Sequence, residues 1–480
     1  MRPLSTAARM RTIPRSQRFA NGAVSFWFRE TGLPKYRDPL PGDADYDVCV
    51  VGAGFTGLWT AYYLKKEQPD LRIAVLEREF AGYGASGRNG GRLSAEFTGS
   101  REHYARAHGK AATVALQRAM MDTVDEVLAV AEAEGIDADT VKGGMRLVAT
   151  NAAQRERLTE EIAYLQEWGY WPDDIHMLEP DDGPRLLVDG AVASAYCPHA
   201  ARVQPAKLVT GLARAVEELG VDLFEGTAVT GIRAREGVSR PAAVTDHGTV
   251  YADHVVRATE GFTPGLRGPG RQWPTAPVSM VATEPVPARV WERIGWEGRE
   301  VLGDTAHASV YAQRTSDDRI VIGGRDAPHR VGPGRDGDGT TRPQAIAELW
   351  HALTRMFPDA ADVPVEHAWS GMIGLPDDQC PTVCLDRESG LAWAGGYSDS
   401  GMGAGNLAGR TLRDLLLGRE TDLTRLPWVG HRGDGEGTGR RRVRTRVVHG
   451  LYRTADRRES AEERTRTSRL AGLAERLSGR

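Results

Sequence analysis

The sequence predicts an α/β fold in which a Rossmann-like nucleotide-binding domain is interleaved with a second domain of mixed β-sheet and helices. Three observations predict it. Gly52, Gly54 and Gly57 form G-x-G-x-x-G between a valine-rich run and a helical one. Glu77 closes the next apolar run 20 residues after Gly57, where the acid of a βαβ nucleotide site falls. Further along, helical patterning interrupts this unit before strand signals return, so a second domain breaks the first.

At 480 residues and 40% hydrophobic, the chain has material for two or three domains. A formal net charge of -4 offers no global attraction to nucleic acid or an anionic membrane, so small molecules are the expected partners and no nucleic acid is. Cys49, Cys197, Cys380 and Cys384 are too sparse for a disulfide framework, and no second Cys or His pair completes a zinc pattern, so no metal is expected. A reducing cytoplasm fits this usage. The uncharged stretch from Val48 to Leu64 approaches membrane-span length, but its glycines belong to the nucleotide loop and no span is expected. Positions 1 to 29 hold six arginines and no acid, superficially like an organelle transit peptide, without the apolar core of a secretion signal.

DYDVCVVGAG reads as a strand buried on both faces, because its valines run unbroken to the glycine turn. A helix follows from about Gly54 to Lys66, and LRIAVLER at 71–78 is the next strand. From about Arg101 to Gly169 the pattern is helical, with Leu158, Ile162 and Leu165 on one face. Strands resume at VDLFEGTAVTGI, and His247-Gly248 separates two short β-rich runs as a hairpin turn would. RIVIGG at 319–324 predicts a strand, Pro343 to Met356 a helix, LAWAGG a buried strand, and GAGNLAGRTLRDLLLG a terminal helix. The last fifty residues carry fourteen arginines among seven acids and read as a solvated, partly helical tail.

These elements divide the chain into an N-terminal extension (1–44), a discontinuous nucleotide-binding domain (45–101, 196–265 and 366–428), a substrate domain (102–195 and 266–365) and an arginine-rich tail (429–480). A second G-x-G-x-x-G at Gly332, Gly334 and Gly337 has no helix at its last glycine, and Asp336 and Asp338 oppose a phosphate there. It reads as a mobile loop, leaving one dinucleotide site.

Within that site, Gly52 permits the turn, Gly54 admits a diphosphate to the backbone, and Gly57 lets helix and strand approach. Glu77 is placed to accept hydrogen bonds from a ribose diol. A second glycine-rich loop, GYGASGRNGG, starts a few residues later. A nicotinamide dinucleotide needs no such loop, whereas FAD continues past its diphosphate to a tricyclic ring that must be held against backbone. Ser86, Arg88 and Asn89 can offer hydrogen bonds to the phosphates and the flavin edge. The expected cofactor is therefore FAD.

VVGAGFTGLWTAYYL, VLER and GASGRNGG together resemble the FAD-dependent amine and amino-acid oxidoreductases of the D-amino-acid oxidase type. SFWFRETG, ARVQPAKLVTGLARAV, VVRATEG and AWAGGYSDSGMGAGNLAGRTLRDLL are similar to the branch of gamma-glutamylputrescine oxidases and aminophosphonate oxidoreductases, so the resemblance runs from about Ser25 to Trp428. It implies a glutathione-reductase or sarcosine-oxidase type of FAD domain, with a β-sheet substrate domain over the flavin face. It implies an amine or amino-acid oxidase or dehydrogenase: hydride leaves the carbon bearing the amine for flavin N5, and the imine hydrolyses. Oxygen or another acceptor then takes the electrons. Carried onto this chain, the cofactor-binding positions are Gly52, Ala53, Gly54, Phe55, Thr56 and Gly57, then Glu77 and Arg78, then Ala85, Ser86, Arg88, Asn89, Gly90 and Gly91, with Val229, Gly401 and Met402.

Departures sharpen the expectation. Relatives that attach flavin covalently have cysteine where this chain has Ser370 or Gly371, or histidine where it has Arg88, so noncovalent FAD is expected. The lysine that activates oxygen in sarcosine oxidases is replaced by Val321, which predicts slow reaction with oxygen. Asp399 stands where relatives have glycine and is expected to take left-handed backbone. Cys380 and Cys384 read as buried inert thiols, with flavin-adjacent redox cysteines as the alternative. Tyr311 could orient an amine and Arg325 could pair with a carboxylate or phosphonate; the alternatives are a tyrosine at the core edge and a surface arginine. His307 reads as a structural histidine. Competing functions are a flavin-dependent monooxygenase and an FAD-binding protein without turnover.

Overall fold

Runs of β-branched residues without polar alternation form interior strands. The computed structural model describes residues 18–97, 99–179, 182–266, 275–325, 337–376, 378–431, 438–461 and 467–478, and gathers those runs into a six-stranded sheet. Its order is Asp222–Phe224, Ile73–Leu76, Val48–Val51, His254–Arg257, Leu391–Gly395 and Thr382–Asp386, parallel throughout except for the last pair. Every residue of Val48–Val51 and Ile73–Leu76 is buried. The strand expected over 71–78 is thus shorter, and Glu77 and Arg78 leave it to line a cavity.

The helices Phe55–Glu67 and Gly401–Leu416 pack together. A Cβ at Gly409 would lie 2.7 Å from that of Trp59, so the contact needs glycine for close approach. Two smaller sheets complete this half of the molecule. One joins Val229–Arg233, Ala242–Thr245, Thr249–Tyr251 and Ala44–Asp45, with the expected turn at His247-Gly248; the other pairs Arg92–Ser94 with Ala200–Arg202.

A nine-stranded sheet faces the first. Its order is Ala20–Asn21, Val365–Gly374, Thr275–Thr283, Ile320–Arg325, Val310–Arg314, Val301–Asp304, Met145–Ala149, Ala193–Cys197 and His176–Met177. The register sets Met280 and Tyr311 on either side of Gly323. The helix Pro343–Met356 begins and ends where its pattern predicts.

Two expectations need correction. The stretch 101–169 holds the helices Arg101–His108, Lys110–Ala133 and Ala152–Glu167, but also the strand Met145–Ala149. MRLVA alternates for only five residues after Gly143-Gly144, too short a period-two signal to stand out between helices. The tail is not merely solvated. It forms the helices Thr438–Ala461 and Arg469–Ser478, and its Glu459 is buried, bonded to Arg157 Nη1 at 3.1 Å and His307 Nε2 at 3.1 Å. Asp456 accepts the backbone N–H groups of His307 and Ala308. His307 is accordingly a structural residue, held by carboxylates far along the chain.

Among the described residues no helix is long and apolar enough to cross a membrane. Gly332, Gly334 and Asp336 lie outside the described residues, as does the side chain of Arg325.

Candidate active site

The parallel strands deliver their carboxyl ends to one cavity of about 440 Å³, where Val51, Leu76, Glu77, Ala258 and Tyr397 form part of the wall. Ligands in open α/β sheets bind at such ends. Gly52 has φ +105°, and a Cβ there would sit 2.7 Å from the Ala258 carbonyl oxygen. At Gly57 the obstruction is the Gly52 carbonyl oxygen, 2.0 Å away, so helix and strand touch through it. Gly54, Phe55 and Thr56 line the cavity, as do Gly401 and Met402. Two helix N-termini therefore converge on it, a favourable field for a diphosphate. Gly54 brings no side-chain cap to the first helix; Phe55 N–H donates instead to Ser86 Oγ at 2.9 Å.

Glu77 is fixed by backbone. Its Oε2 accepts the Ala53 N–H at 2.9 Å and its Oε1 the Glu79 N–H at 3.1 Å. Burial raises its pKa, opposed by those two N–H groups. Each oxygen keeps a second lone pair for a hydroxyl donor. Arg78 and Val229 also line the cavity, the former with its guanidinium over the Phe262 ring.

The second glycine loop is held from behind by the N-terminal SFWF segment. Ser25 caps the helix Phe26–Thr31 and donates its hydroxyl to the Gly87 carbonyl at 2.8 Å, while Trp27 Nε1 donates to the Asn89 carbonyl at 2.8 Å. From the nine-stranded sheet, Trp369 Nε1 donates to the Arg88 carbonyl at 2.8 Å. Ala85, Ser86, Arg88 and Asn89 line the cavity, but their polar groups turn inward. Arg88 is buried, its guanidinium over the Tyr83 ring and donating to the carbonyls of Tyr83 and Ser370. Asn89 donates to the Ala85 and Ser86 carbonyls and accepts the Gly91 N–H. These side chains shape the loop while lining the cavity at which the sequence expects phosphates and flavin. The carbonyls of a tight glycine turn need donors before any ligand does.

The opposite wall comes from the nine-stranded sheet, through Val278, Met280, Tyr311, Gly371, Met372 and Ile373. Tyr311 packs on Gly90, where a Cβ would lie 2.3 Å from its ring, and its hydroxyl is 3.5 Å from Met280 Sδ. Arg92 also lines the cavity; it carries its guanidinium over the Tyr311 ring and pairs with Glu96. Asp399 lines the cavity as well, and its charge acts on both Arg92 and Tyr311. Burial, the largest influence, raises the Tyr311 phenol pKa, so it stays protonated.

The cavity thus gathers most of the residues that the sequence singled out. Ala53, Gly57, Gly90 and Gly91 stand behind its wall as packing or backbone positions, and Val321 is a core residue outside the lining. Left-handed backbone falls on Ser398 at φ +53°, one residue before Asp399. Cys380 and Cys384 are buried and form no disulfide.

Sequence reasoning missed Arg92, although it directly follows the GRNGG run. It also missed Glu260, in the ATEG strand end. Glu260 lines the cavity with φ +37° and accepts the N–H groups of Gly374 at 3.1 Å and Gly396 at 2.7 Å. Burial pushes its pKa up to about 7, against those N–H groups and that of Tyr397.

Comparison with known proteins agrees with a dinucleotide site. The family described as FAD dependent oxidoreductase matches residues 47–415. The chain is 27% identical over 395 residues to the probable oxidoreductase OrdL of Rhizobium meliloti (strain 1021), covering 80% of this chain and 86% of that one. It is 27% identical over 388 residues to the gamma-glutamylputrescine oxidoreductase of Escherichia coli (strain K12), covering 79% and 86%. Among solved structures, glycine oxidase from Geobacillus kaustophilus superposes with a TM-score of 0.65 at 23% identity, over 82% of this chain and all of that one.

Proposed function

This chain belongs to the FAD-dependent oxidoreductase family, and from that premise we propose that it oxidises the C–N bond of a small amine or amino acid. FAD, when bound, supplies the two-electron acceptor. The observation that carries this reading is one cavity with two unlike walls: glycine loops and helix N-termini on one side, Tyr311 with Met280 and Val278 on the other. The first wall suits a dinucleotide. The second suits a small substrate laid against it.

Arg92 and Asp399 give the substrate end opposite charges. A guanidinium binds a carboxylate or phosphonate bidentately, while an aspartate draws an ammonium group toward the same wall. Tyr311, neutral and held between Gly90 and Met280, offers a hydroxyl and a rigid face that restrict the orientation of the reacting carbon. The substrate amine must shed its ammonium proton before its lone pair can assist oxidation. Its carbon then gives up one hydride, a proton together with the two electrons of the C–H bond, and water hydrolyses the resulting imine. The relatives named for glycine and for gamma-glutamylputrescine support this substrate class.

Noncovalent attachment follows from the same wall, since no cysteine is among the described lining residues and Gly371 lines the cavity beside buried Ser370. Oxygen is a slow acceptor in this reading, because Val321 lies in the apolar core and brings no cation. Tyr311 remains our candidate for orienting substrate, and a cytoplasmic location suits the sparse free thiols.

Anaerobic titration of the yellow protein tests the proposal, with polyamines, gamma-glutamylated amines, aminophosphonates, N-methyl amino acids and D-amino acids as the panel. Bleaching by one class supports it. A protein that no amine bleaches, but that dithionite does, is not an amine oxidoreductase.

A further inference from the structure

Away from the cavity, three segments bring two imidazoles and a carboxylate together. His103 lies on the helix Arg101–His108, Asp378 follows the strand Val365–Gly374, and His431 follows the Trp428–Val429 turn. One donor atom from each lies within 4.8 Å of the other two. His431 Nε2 is 2.7 Å from Asp378 Oδ2, and the His103 and His431 rings meet edge to face at 5.3 Å. The Asp378 and His431 side chains are only 9% and 7% exposed.

We propose that His103, Asp378 and His431 bind a zinc ion that clamps the chain leaving the C-terminal half of the fold onto the helix Arg101–His108. Two histidines and one carboxylate form a borderline donor set suited to zinc, with a water as fourth ligand. Bonds of about 2.0–2.1 Å in a tetrahedron put donors about 3.3 Å apart, so the Asp378–His431 edge at 2.7 Å is slightly shorter than a bound ion would set. Binding at His431 Nε2 replaces its hydrogen bond to Asp378, and the ring N–H then lies on Nδ1.

The surroundings already orient the ligands, as the outer contacts of a metal site must. Asp378 Oδ1 accepts the Cys380 N–H at 3.0 Å. Thr382 Oγ1 donates to the His431 carbonyl at 2.8 Å, and Gly430 N–H donates to the Val383 carbonyl at 2.8 Å. The Tyr104 ring supports His431 at 5.2 Å. None of the three ligands lines the active cavity, so the ion's role is structural. The comparable group of His307, Asp456 and Glu459 is a poor alternative, because Arg157 Nη1 sits 2.8 Å from His307 Nε2 and 3.1 Å from Glu459 and occupies the place of a cation.

The test uses the full FAD-loaded chain, stripped with EDTA, dialysed and titrated with zinc chloride. The expected result is one zinc per chain by elemental analysis and a higher melting temperature with zinc. His103→Ala, on a half-buried helix position, should weaken zinc binding at least tenfold while leaving flavin absorbance and amine bleaching unchanged; His431→Ala should do the same to zinc. Failure of the wild-type chain to take up one zinc overturns the proposal. So does full retention in His103→Ala, or a loss caused by Cys380→Ser alone, which would assign the ion to the thiol.

Discussion

The guanidinium of Arg92 lies over the ring of Tyr311, 5.0 Å from its centroid. A cation held on an aromatic face beside a cavity is desolvated and positioned at once. Arg92→Met should therefore raise KM for an anionic substrate tenfold to a hundredfold, the equivalent of about 1.5–3 kcal/mol for a charged hydrogen bond. Tyr311→Phe keeps the ring and loses the hydroxyl with its contacts to Met280 Sδ and the Gly90 backbone, so kcat/KM should fall by about threefold to tenfold on charged and uncharged substrates alike. Steady-state kinetics with one anionic and one uncharged amine will separate the two; equal losses on both substrates would remove Arg92 from the role.

Gly57→Ala should yield no soluble yellow protein, because its Cβ meets the Gly52 carbonyl, and neither backbone segment can move without parting helix from sheet. Gly54→Ala meets only Ser86 Oγ, at 2.9 Å. That variant should fold and lose FAD on gel filtration, and Gly54→Ala with Ser86→Ala should regain part of it. Identical behaviour of Gly54→Ala and Gly57→Ala would contradict this division.

Glu260 carries the pH prediction. Its pKa is raised from 4.5 in the unfolded chain to about 7, so its contribution to stability is fully present below pH 4.5 and is lost as pH rises through 7. The melting temperature of the wild type, minus that of Glu260→Gln, should fall between pH 5 and pH 8. The span is worth no more than about 3 kcal/mol, at about 1.4 kcal/mol per pH unit. Parallel melting profiles would show that Glu260 does not titrate in this range.

Glu459 behaves oppositely. Burial alone would raise its pKa, but hydrogen bonds from His307 and the Ser468 N–H, with Arg157 alongside, hold it down to about 2. Its contribution is present above about pH 4.5 and lost as pH falls toward 2. Glu459→Gln should loosen the two tail helices at neutral pH, at a cost of about 3 kcal/mol for breaking a buried pair. Hydrogen exchange over 447–461 and 467–478 reads the effect, and unchanged protection would mean that Asp456 and the apolar contacts dock the tail without Glu459.

Acid precipitation should release all of the flavin as FAD. Flavin remaining on a peptide would refute noncovalent attachment and direct attention away from Ser370 and Gly371.

The sequence by itself determined the nucleotide unit, because its information is local. A buried strand, a glycine turn, a helix start and an acid follow one another within about thirty residues, and each obeys its own backbone constraint. The second glycine loop was equally legible, as were the helices Pro343–Met356 and Gly401–Leu416, whose apolar faces repeat at helical spacing. Only the tertiary structure decided what the loop's side chains do. Arg88 is anchored by the carbonyl of Ser370, 282 positions away. The strand Met145–Ala149 exists because Val301–Asp304 and Ala193–Cys197 offer it ladders on both sides, and Glu459 is buried because His307 lies 152 positions back. Such partners are set by how two sheets pack, a property of the whole chain that no window of sequence contains.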